Sequence, residues 1–382
     1  MESKSILPAI RERLRKTRRI VVKIGTSTVT NEAGFPRTPQ IESIVQSIRL
    51  LKSEGRQIVL VSSGAVGLGR AKLGVSHMRL SDLVLRQACA AVGQSRLMNL
   101  YETAFATHDA KIAQVLLTED DFTDRKRYSN LRHTIERLLK LRVIPIVNEN
   151  DTVSTAEIEL FDSSNGRIFS DNDRLAALIM SKLEADALII LTNVDGVLDK
   201  EGSVIPVVTD LNHDLKSLAS GTSVSGRGGM VTKLEAAEIA MRAGAVAVIA
   251  NGGTPRILDR IFAGEQMGTT FFSETRLGGK RRWIKYAAGV RGRLVINPGA
   301  RKAILERKAS LLSSGVISVQ EKFNAMDVVS IVDHEGREFA RGIANYPSHE
   351  AETMIATAAS SSGKVKARVL VTRNNIVLND QG

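Results

Sequence analysis

VVKIGTSTV, residues 21–29, is the stretch whose reading decides the fold. Apolar residues surround one lysine and run into a Gly-Thr-Ser turn. A strand that carries a single cation and a small-residue loop to a sheet edge suits a phosphate, because backbone N–H groups at such a turn and at a following helix start favour anions. Read alone, the segment is equally a first strand whose Lys23 points to solvent. A second element of the same kind, SGRGGMVTKLEAAEIA at 225–240, decides between the two. Its glycines Gly226, Gly228 and Gly229 let the backbone approach a ligand, and the helix behind them aims its positive dipole end at the same space. Lys233 stands in the first turn of that helix, where a cation opposes the dipole, so it has another task. Neither GxxxxGK[ST] nor a strand followed by GxGxxG occurs, which excludes a P-loop and a dinucleotide fingerprint.

Outward from Val21–Val29, apolar strands alternate with amphipathic helices. IESIVQSIRLLKSEGRQ (41–57) is a helix ending at Gly55, and QIVLVSSGAVGLG (57–69) a buried strand running into small residues. VLRQACAAVGQSRLMNLYETAF (84–105) is a long helix, AQVLLT (113–118) a strand, NLRHTIERLLKLR (130–142) a helix and VIPIVNEND (143–151) a strand with a polar end. DRLAALIMSKLEA and KLEAAEIAMRAG are helices, each followed by a strand, ADALIILTNVDGVL and AVAVIANGG. This order predicts parallel βαβ units: a three-layer αβα sandwich around a mainly parallel open sheet. Ligands bind at the carboxyl ends of strands in such a sheet. Gly25-Thr26-Ser27, Ser62-Ser63-Gly64, Asn148 to Asp151 and Thr192-Asn193 all fall where a strand stops. Turns favour these residue types in any case, but four at one edge make a site.

From Gly292 the pattern changes to short strands between turns: RLVINPGA, GVISVQEKF, DVVSIVD, HEGREFARGIANY and KARVLVT. They predict a small, mostly β barrel. The expected division is a basic N-terminal arm or helix at 1–19, an α/β domain at 20–275, a linker at 276–286 around Gly278-Gly279, and a β domain at 287–382. A length of 382 residues agrees with more than one domain. The net charge of +12 sits at the two ends: residues 1–20 hold seven basic and two acidic groups, and residues 278–382 hold seventeen and nine. The remainder carries 29 basic and 30 acidic groups. A polyanion is a conceivable partner of the basic ends, and a solvated surface explains them as well. Cys89 is the only cysteine, which excludes an intrachain disulfide, and the six histidines lack ligand spacing. No apolar run is long enough to span a membrane and no signal peptide opens the chain, so a reducing cytoplasm is expected.

A third element, IVNENDTVSTAEIEL…FSDNDRLAAL, gathers Asn148, Glu149, Asn150, Asp151, Glu157, Asp171, Asn172 and Asp173. Asp171 reads equally as a helix N-cap or as a site acid. Asp151, at a strand end, is placed to hold an ammonium group. An acidic patch facing two lysines also orients cations that would otherwise repel.

VVKIGTS, VSSGAVGLG, AAVGQSRL, NEND…TAEI…DNDRL, LTNVDGV and GGMVTKLEAA closely resemble the bacterial glutamate 5-kinases of the amino acid kinase superfamily. The tail LLSSGVISVQ…GREFARGIANY resembles that family's appended PUA domain. The resemblance implies transfer of phosphoryl from ATP, with Mg2+, to the γ-carboxylate of L-glutamate, the first step of proline biosynthesis. It gives Lys23 and Lys233 the task of neutralising the transferred phosphoryl and Asp173 that of holding both lysines. Gly25 and Gly64 would offer N–H groups to phosphate; Ser63, Asp151 and Asn172 would hold glutamate. Thr192 and Asn193, with Arg227, Gly228, Gly229, Met230, Val231, Thr232 and Lys233, would bind ATP. No side chain is expected to serve as a dedicated metal ligand; Mg2+ would arrive on the nucleotide. Inhibition by proline and homo-oligomerisation, as dimer or tetramer, are further implications. FDSSNGRIF (161–169) is longer than the family's usual connection, Asn193 stands where members commonly carry aspartate, and Arg227 interrupts the glycine turn. The rivals are a kinase of the same fold acting on acetylglutamate, aspartate, carbamate or UMP, and an RNA-binding protein acting through the PUA domain.

Overall fold

A computed structural model describes residues 3–78, 82–118, 120–123, 125–153, 171–211, 229–273, 284–285, 290–325, 327–360 and 367–379. The chain divides into two compact units, one of residues 1–119 and 129–277, the other of residues 120–128 and 278–382. The short stretch 120–128 therefore groups with the second unit, which the sequence reading did not anticipate.

In the first unit the strands β1 (Arg19–Ile24), β2 (Gln57–Ser62), β3 (Ile112–Leu117), β4 (Ile144–Glu149), β5 (Ala187–Thr192), β6 (Val207–Val208), β7 (Val246–Asn251) and β8 (Thr269–Phe271) form one sheet. Their order is β3-β4-β2-β1-β5-β7-β8-β6. Every pairing is parallel except β7 with β8. The short β6 and antiparallel β8 were not read from the sequence; two and three residues carry too little periodicity to register. Helices cover both faces, as the βαβ alternation requires. Ile20, Val22 and Ile24 of β1 pack into a core with Ile41, Ile44, Val45 and Ile48 of the helix Thr38–Ser53, and with Leu97, Tyr101 and Phe105 of the helix Leu83–Ala106. The alternate residues Val21 and Lys23 are buried towards the other face, which carries the helices Asn172–Lys182 and Met230–Arg242. The N-terminal helix Ser3–Arg15 is docked: Ile10 and Leu14 enter the first core, and Arg13 donates to the Gly244 carbonyl at 2.6 Å.

The helices Ala65–Leu73 and Leu83–Ala106 cross where two glycines meet backbone. A Cβ on Gly93 would lie 1.7 Å from the Ala65 carbonyl oxygen, and one on Gly69 would lie 1.8 Å from that of Cys89. This crossing fixes the start of the Ala65 helix, which leaves the sheet at Gly64.

The second unit is built on a sheet of β9 (Val290–Ile296), β10 (Leu311–Leu312), β11 (Val316–Gln320), β12 (Val328–Val332), β13 (Glu338–Ala344) and β14 (Val369–Leu378). The order is β10-β14-β13-β12-β9-β11, antiparallel apart from β12 with β9. Two helices, Pro298–Arg307 and Ser348–Ser360, accompany it, and Ile304 and Ala351 enter its core beside Val329, Ile331 and Val371. The sequence reading saw the strands and passed over both helices. Trp283 lies outside the described residues.

Gly93→Ala has no space for its methyl group except by parting two helices. Overpacking of this kind costs about 2 kcal/mol, so the first unit's melting temperature should fall by about 4–8 °C. A thermal melt indistinguishable from wild type would contradict the close crossing.

Candidate active site

Parallel pairing brings the carboxyl ends of β4, β2, β1 and β5 side by side, and the polar segments sit there. Period-two alternation decides which face each side chain takes. Ile24 turns into the first core, so Lys23 turns to the other face, beneath the start of the Asn172 helix. Asp173 occupies the first turn of that helix and has no solvent exposure.

Asp173 receives both lysines. Lys23 Nζ lies 2.6 Å from Asp173 Oδ1, and Lys233 Nζ lies 3.1 Å from Oδ2. The lysines are buried too, at 5% and 6% exposure. Thr232 Oγ1 donates to the same Oδ2 at 3.3 Å and to the Gly229 carbonyl at 3.0 Å. Burial by itself would raise the Asp173 carboxyl; the charges of Lys23 and Lys233 and their hydrogen bonds outweigh it and hold the group below the ordinary aspartate value. Two ammonium groups meet one carboxylate in a nearly dry centre, with the Asp171 carboxyl close enough to interact with Lys23. Such a centre interacts strongly with an anion, because little water screens the field.

Asp171 caps the helix: its Oδ1 accepts from the N–H groups of Asp173 and Arg174 at 3.0 and 3.1 Å. The capping reading therefore holds for Asp171. Its carboxyl is pushed up by burial and by the neighbouring Asp173 charge.

Beside this centre runs a line of amides. Asn172 Nδ2 donates to Ser63 Oγ at 2.9 Å and to Asn148 Oδ1 at 3.0 Å, and Asn148 Nδ2 donates to Gln94 Oε1 at 3.0 Å. Among the described residues, Asn172 Oδ1 and Gln94 Nε2 are buried without a hydrogen-bond partner. One open acceptor and one open donor, each desolvated, are what an amino acid's ammonium and carboxylate would satisfy. Asp151 stands in the turn after β4, and burial raises its carboxyl, with Arg86 acting in the opposite sense. From below, Ser62 Oγ shares a hydrogen bond of 2.8 Å with the buried Tyr101 hydroxyl, bracing the Ser63-Gly64 turn. Gly64 itself has φ of +109°, a left-handed conformation that favours glycine. Gln94 and Tyr101 were not assigned a role from the sequence. The signal available was a glutamine inside an otherwise small or apolar helical run, AAVGQSRL.

Two expectations need correction or restriction. The Gly25 N–H does not face a ligand: it donates to the Leu191 carbonyl at 2.9 Å and extends the β1–β5 ladder. Parallel pairing continues one residue past the strand and consumes that donor. The free amides of the turn begin with Thr26 and Ser27, the first residues of a one-turn helix. Thr192 and Asn193 lie at the β5 end, with Thr192 Oγ1 3.3 Å from Asn193 Oδ1. Gly229, Met230, Val231 and Thr232 begin the second helix, whereas Arg227, Gly228 and Glu157 lie outside the described residues. Among the described residues, no group of three or more His, Cys, Asp or Glu could hold a metal ion, and no helix is long and apolar enough to cross a membrane.

Comparison with known proteins gives matches to the Amino acid kinase family over residues 18–251 and to the PUA domain over residues 292–362. A glutamate 5-kinase from Caldanaerobacter subterraneus subsp. tengcongensis is 44% identical over 342 residues, 87% of this chain and 89% of that protein. A glutamate 5-kinase from Myxococcus xanthus is 42% identical over 348 residues, 89% of each chain. Among solved structures, carbamate kinase from Giardia lamblia bound to AMP-PNP covers 68% of this chain and all of its own, at 17% identity and a TM-score of 0.48.

Asp173→Asn keeps the side chain's size and removes the charge that both buried ammonium groups contact. The first unit should lose about 3–5 kcal/mol, as when one member of a buried ion pair is removed. Because the Asp173 value is lowered on folding, its contribution is complete above the unfolded value of about 3.9 and lost as pH falls through the lower folded value. Thermal melts at neutral pH and in acid test both points; a variant as stable as wild type at neutral pH would show that the aspartate clamps nothing.

Proposed function

This chain belongs to the glutamate 5-kinases of the amino acid kinase family, and from that premise we propose that it transfers the γ-phosphoryl group of ATP to the γ-carboxylate of L-glutamate. The products are L-glutamyl 5-phosphate and ADP, and the reaction opens proline biosynthesis. The observation that carries the reading is the meeting of Lys23 and Lys233 on the two oxygens of one buried carboxylate. The relatives' length and identity argue for glutamate over acetylglutamate, aspartate, carbamate or UMP as acceptor.

The acceptor carboxylate is ionised at neutral pH, so one of its oxygens attacks the γ-phosphorus directly. A new P–O bond forms while the bond to the β-phosphate oxygen breaks, its electron pair leaving with ADP. No proton moves, and no general base is needed. Catalysis then rests on positioning and on charge neutralisation. Lys23 and Lys233 supply fixed positive charge beside the phosphoryl oxygens, where charge shifts most during transfer. Asp173 holds both ammonium groups within reach of one point. Ser63, Asn172 and Asp151 support a glutamate subsite, with Asn148 and Gln94 orienting the amides. Thr192, Asn193 and residues 227–233 are assigned to the nucleotide side. Mg2+ would be held by phosphate oxygens and water, since both Asp173 oxygens are already engaged by lysine. It would supply further neutralisation of the polyphosphate.

Proline as feedback inhibitor, assembly of identical chains and RNA contact by the PUA domain are carried over from the family resemblance alone. A cytoplasmic setting suits the single buried Cys89.

An acceptor screen with ATP and magnesium, read as ADP release, is the direct test: glutamate should be phosphorylated, and activity confined to another acceptor would refute the assignment. Lys233→Ala should lower kcat by at least about 100-fold with little change in the KM for glutamate. Asp151→Ala should raise that KM about tenfold or more while kcat falls less. A Lys233→Ala loss confined to KM, or an unchanged glutamate KM in Asp151→Ala, would remove that residue from its role.

A further inference from the structure

We propose that Tyr101 and Ser62 are positioning residues for phosphoryl transfer: two buried hydroxyl groups in series that turn the Gly64 N–H toward the transferred group. The inference rests on the kinase reading above and adds to it two side chains that touch neither substrate.

Period-two alternation puts Ser62 on the same face of β2 as Ile58 and Leu60, which join the first core. Tyr101, on the helix Leu83–Ala106, belongs to that core, and neither Ser62 nor Tyr101 has any solvent exposure. Their oxygens lie 2.8 Å apart, and Ser62 Oγ donates to the Ser63 carbonyl at 3.0 Å. A serine hydroxyl has one proton to give. With that proton on the Ser63 carbonyl, Ser62 Oγ accepts from Tyr101. The direction of donation is thereby fixed, from Tyr101 to Ser62 and from Ser62 to the Ser63 carbonyl. Burial pushes the Tyr101 hydroxyl above the usual phenol value, which keeps its proton in place.

The peptide plane carries this order to the site. The bond joining Ser63 to Gly64 is trans, so its carbonyl and its N–H point in opposite directions. Ser62 holds the carbonyl toward the first core. The Gly64 N–H is therefore turned to the other face, where Asp173 receives Lys23 and Lys233. On that face Asn172 Nδ2 donates to Ser63 Oγ at 2.9 Å, so the carbonyl and the side chain of Ser63 are held from opposite sides. Among the described residues no backbone carbonyl accepts from the Gly64 N–H, which leaves that donor for a phosphoryl oxygen. A donor aimed before the reaction stabilises charge as it develops and needs no reorganisation. Loosening its aim costs rate more than ground-state affinity.

Steady-state kinetics of the full chain, read as ADP release, test the relay. Ser62→Ala should lower kcat about tenfold or more and Tyr101→Phe about threefold or more, each with the acceptor KM within about twofold of wild type. Ser62→Thr, which returns the hydroxyl, should recover most of the rate lost in Ser62→Ala. Because the two groups act in series, Tyr101→Phe combined with Ser62→Ala should be no slower than Ser62→Ala alone. Should Ser62→Ala fail to fold, Tyr101→Phe, which keeps the ring and removes one oxygen, decides. Unchanged kcat in the folded variants, a loss confined to KM, or losses that multiply in the double variant would overturn the relay. Activity of wild type on an acceptor other than glutamate would refute the acceptor assignment, and the same variants assayed with that acceptor would decide the relay separately.

Discussion

A fully buried carboxylate held between two ammonium groups is the constraint on which the rest of the first unit depends. Removing three charged groups from water is expensive, and their mutual attraction compensates only when the geometry is close and every partner is present. The three groups come from three elements: Lys23 from β1, Asp173 from the start of one helix and Lys233 from the start of another. Each element must therefore be in register with the other two. A slip of β1 by one residue would turn Lys23 into the apolar cluster of Ile41, Val45 and Leu97, and a neighbouring hydrophobic residue would meet Asp173 instead. The charge cluster thus specifies the sheet as much as it prepares for phosphate.

The neighbouring strand ends complete the arrangement because the sheet is parallel. Antiparallel neighbours would send Ser63, Asn148 and Thr192 to opposite edges; parallel ones collect them at one. The amide line from Gln94 through Asn148 to Asn172 and Ser63 joins the long helix of one face to the Asn172 helix of the other over the sheet edge. Rigid packing at the Gly69–Gly93 crossing supports it from below. Polar groups left open within so fixed a frame mark where a substrate supplies what the protein does not.

The order of elements was legible because burial imposes periods. β1, β2, β5 and β7 place apolar residues on both faces, as strands covered on both sides must, and the helices between them repeat their apolar residues every three or four positions. Lys23 and Lys233 stood out as exceptions to those patterns: a cation within an apolar strand and a cation at the wrong end of a helix dipole. By residue pattern Asp173 was one of several acids near a helix start, alongside Asp171, which is the cap, and the family resemblance singled it out as the holder of both lysines. Short elements such as β6 and β8, and the two helices of the second unit, lacked enough residues or enough contrast to show a period.

The sequence by itself determined the class of sheet, the polar strand ends and the pair of displaced lysines, because each follows from the local spacing of residue types. The family resemblance named Asp173, but only the tertiary structure supplies the reason that it and not Asp171 receives the lysines: the two differ by two positions, and a helix turn sends one to its own backbone and the other inward. The tertiary structure likewise decided that the Gly25 amide belongs to the sheet and that Gln94 reaches Asn148. These are contacts between segments far apart in the chain, and their partners are set by how strands align and helices cross, not by any neighbour along the polypeptide.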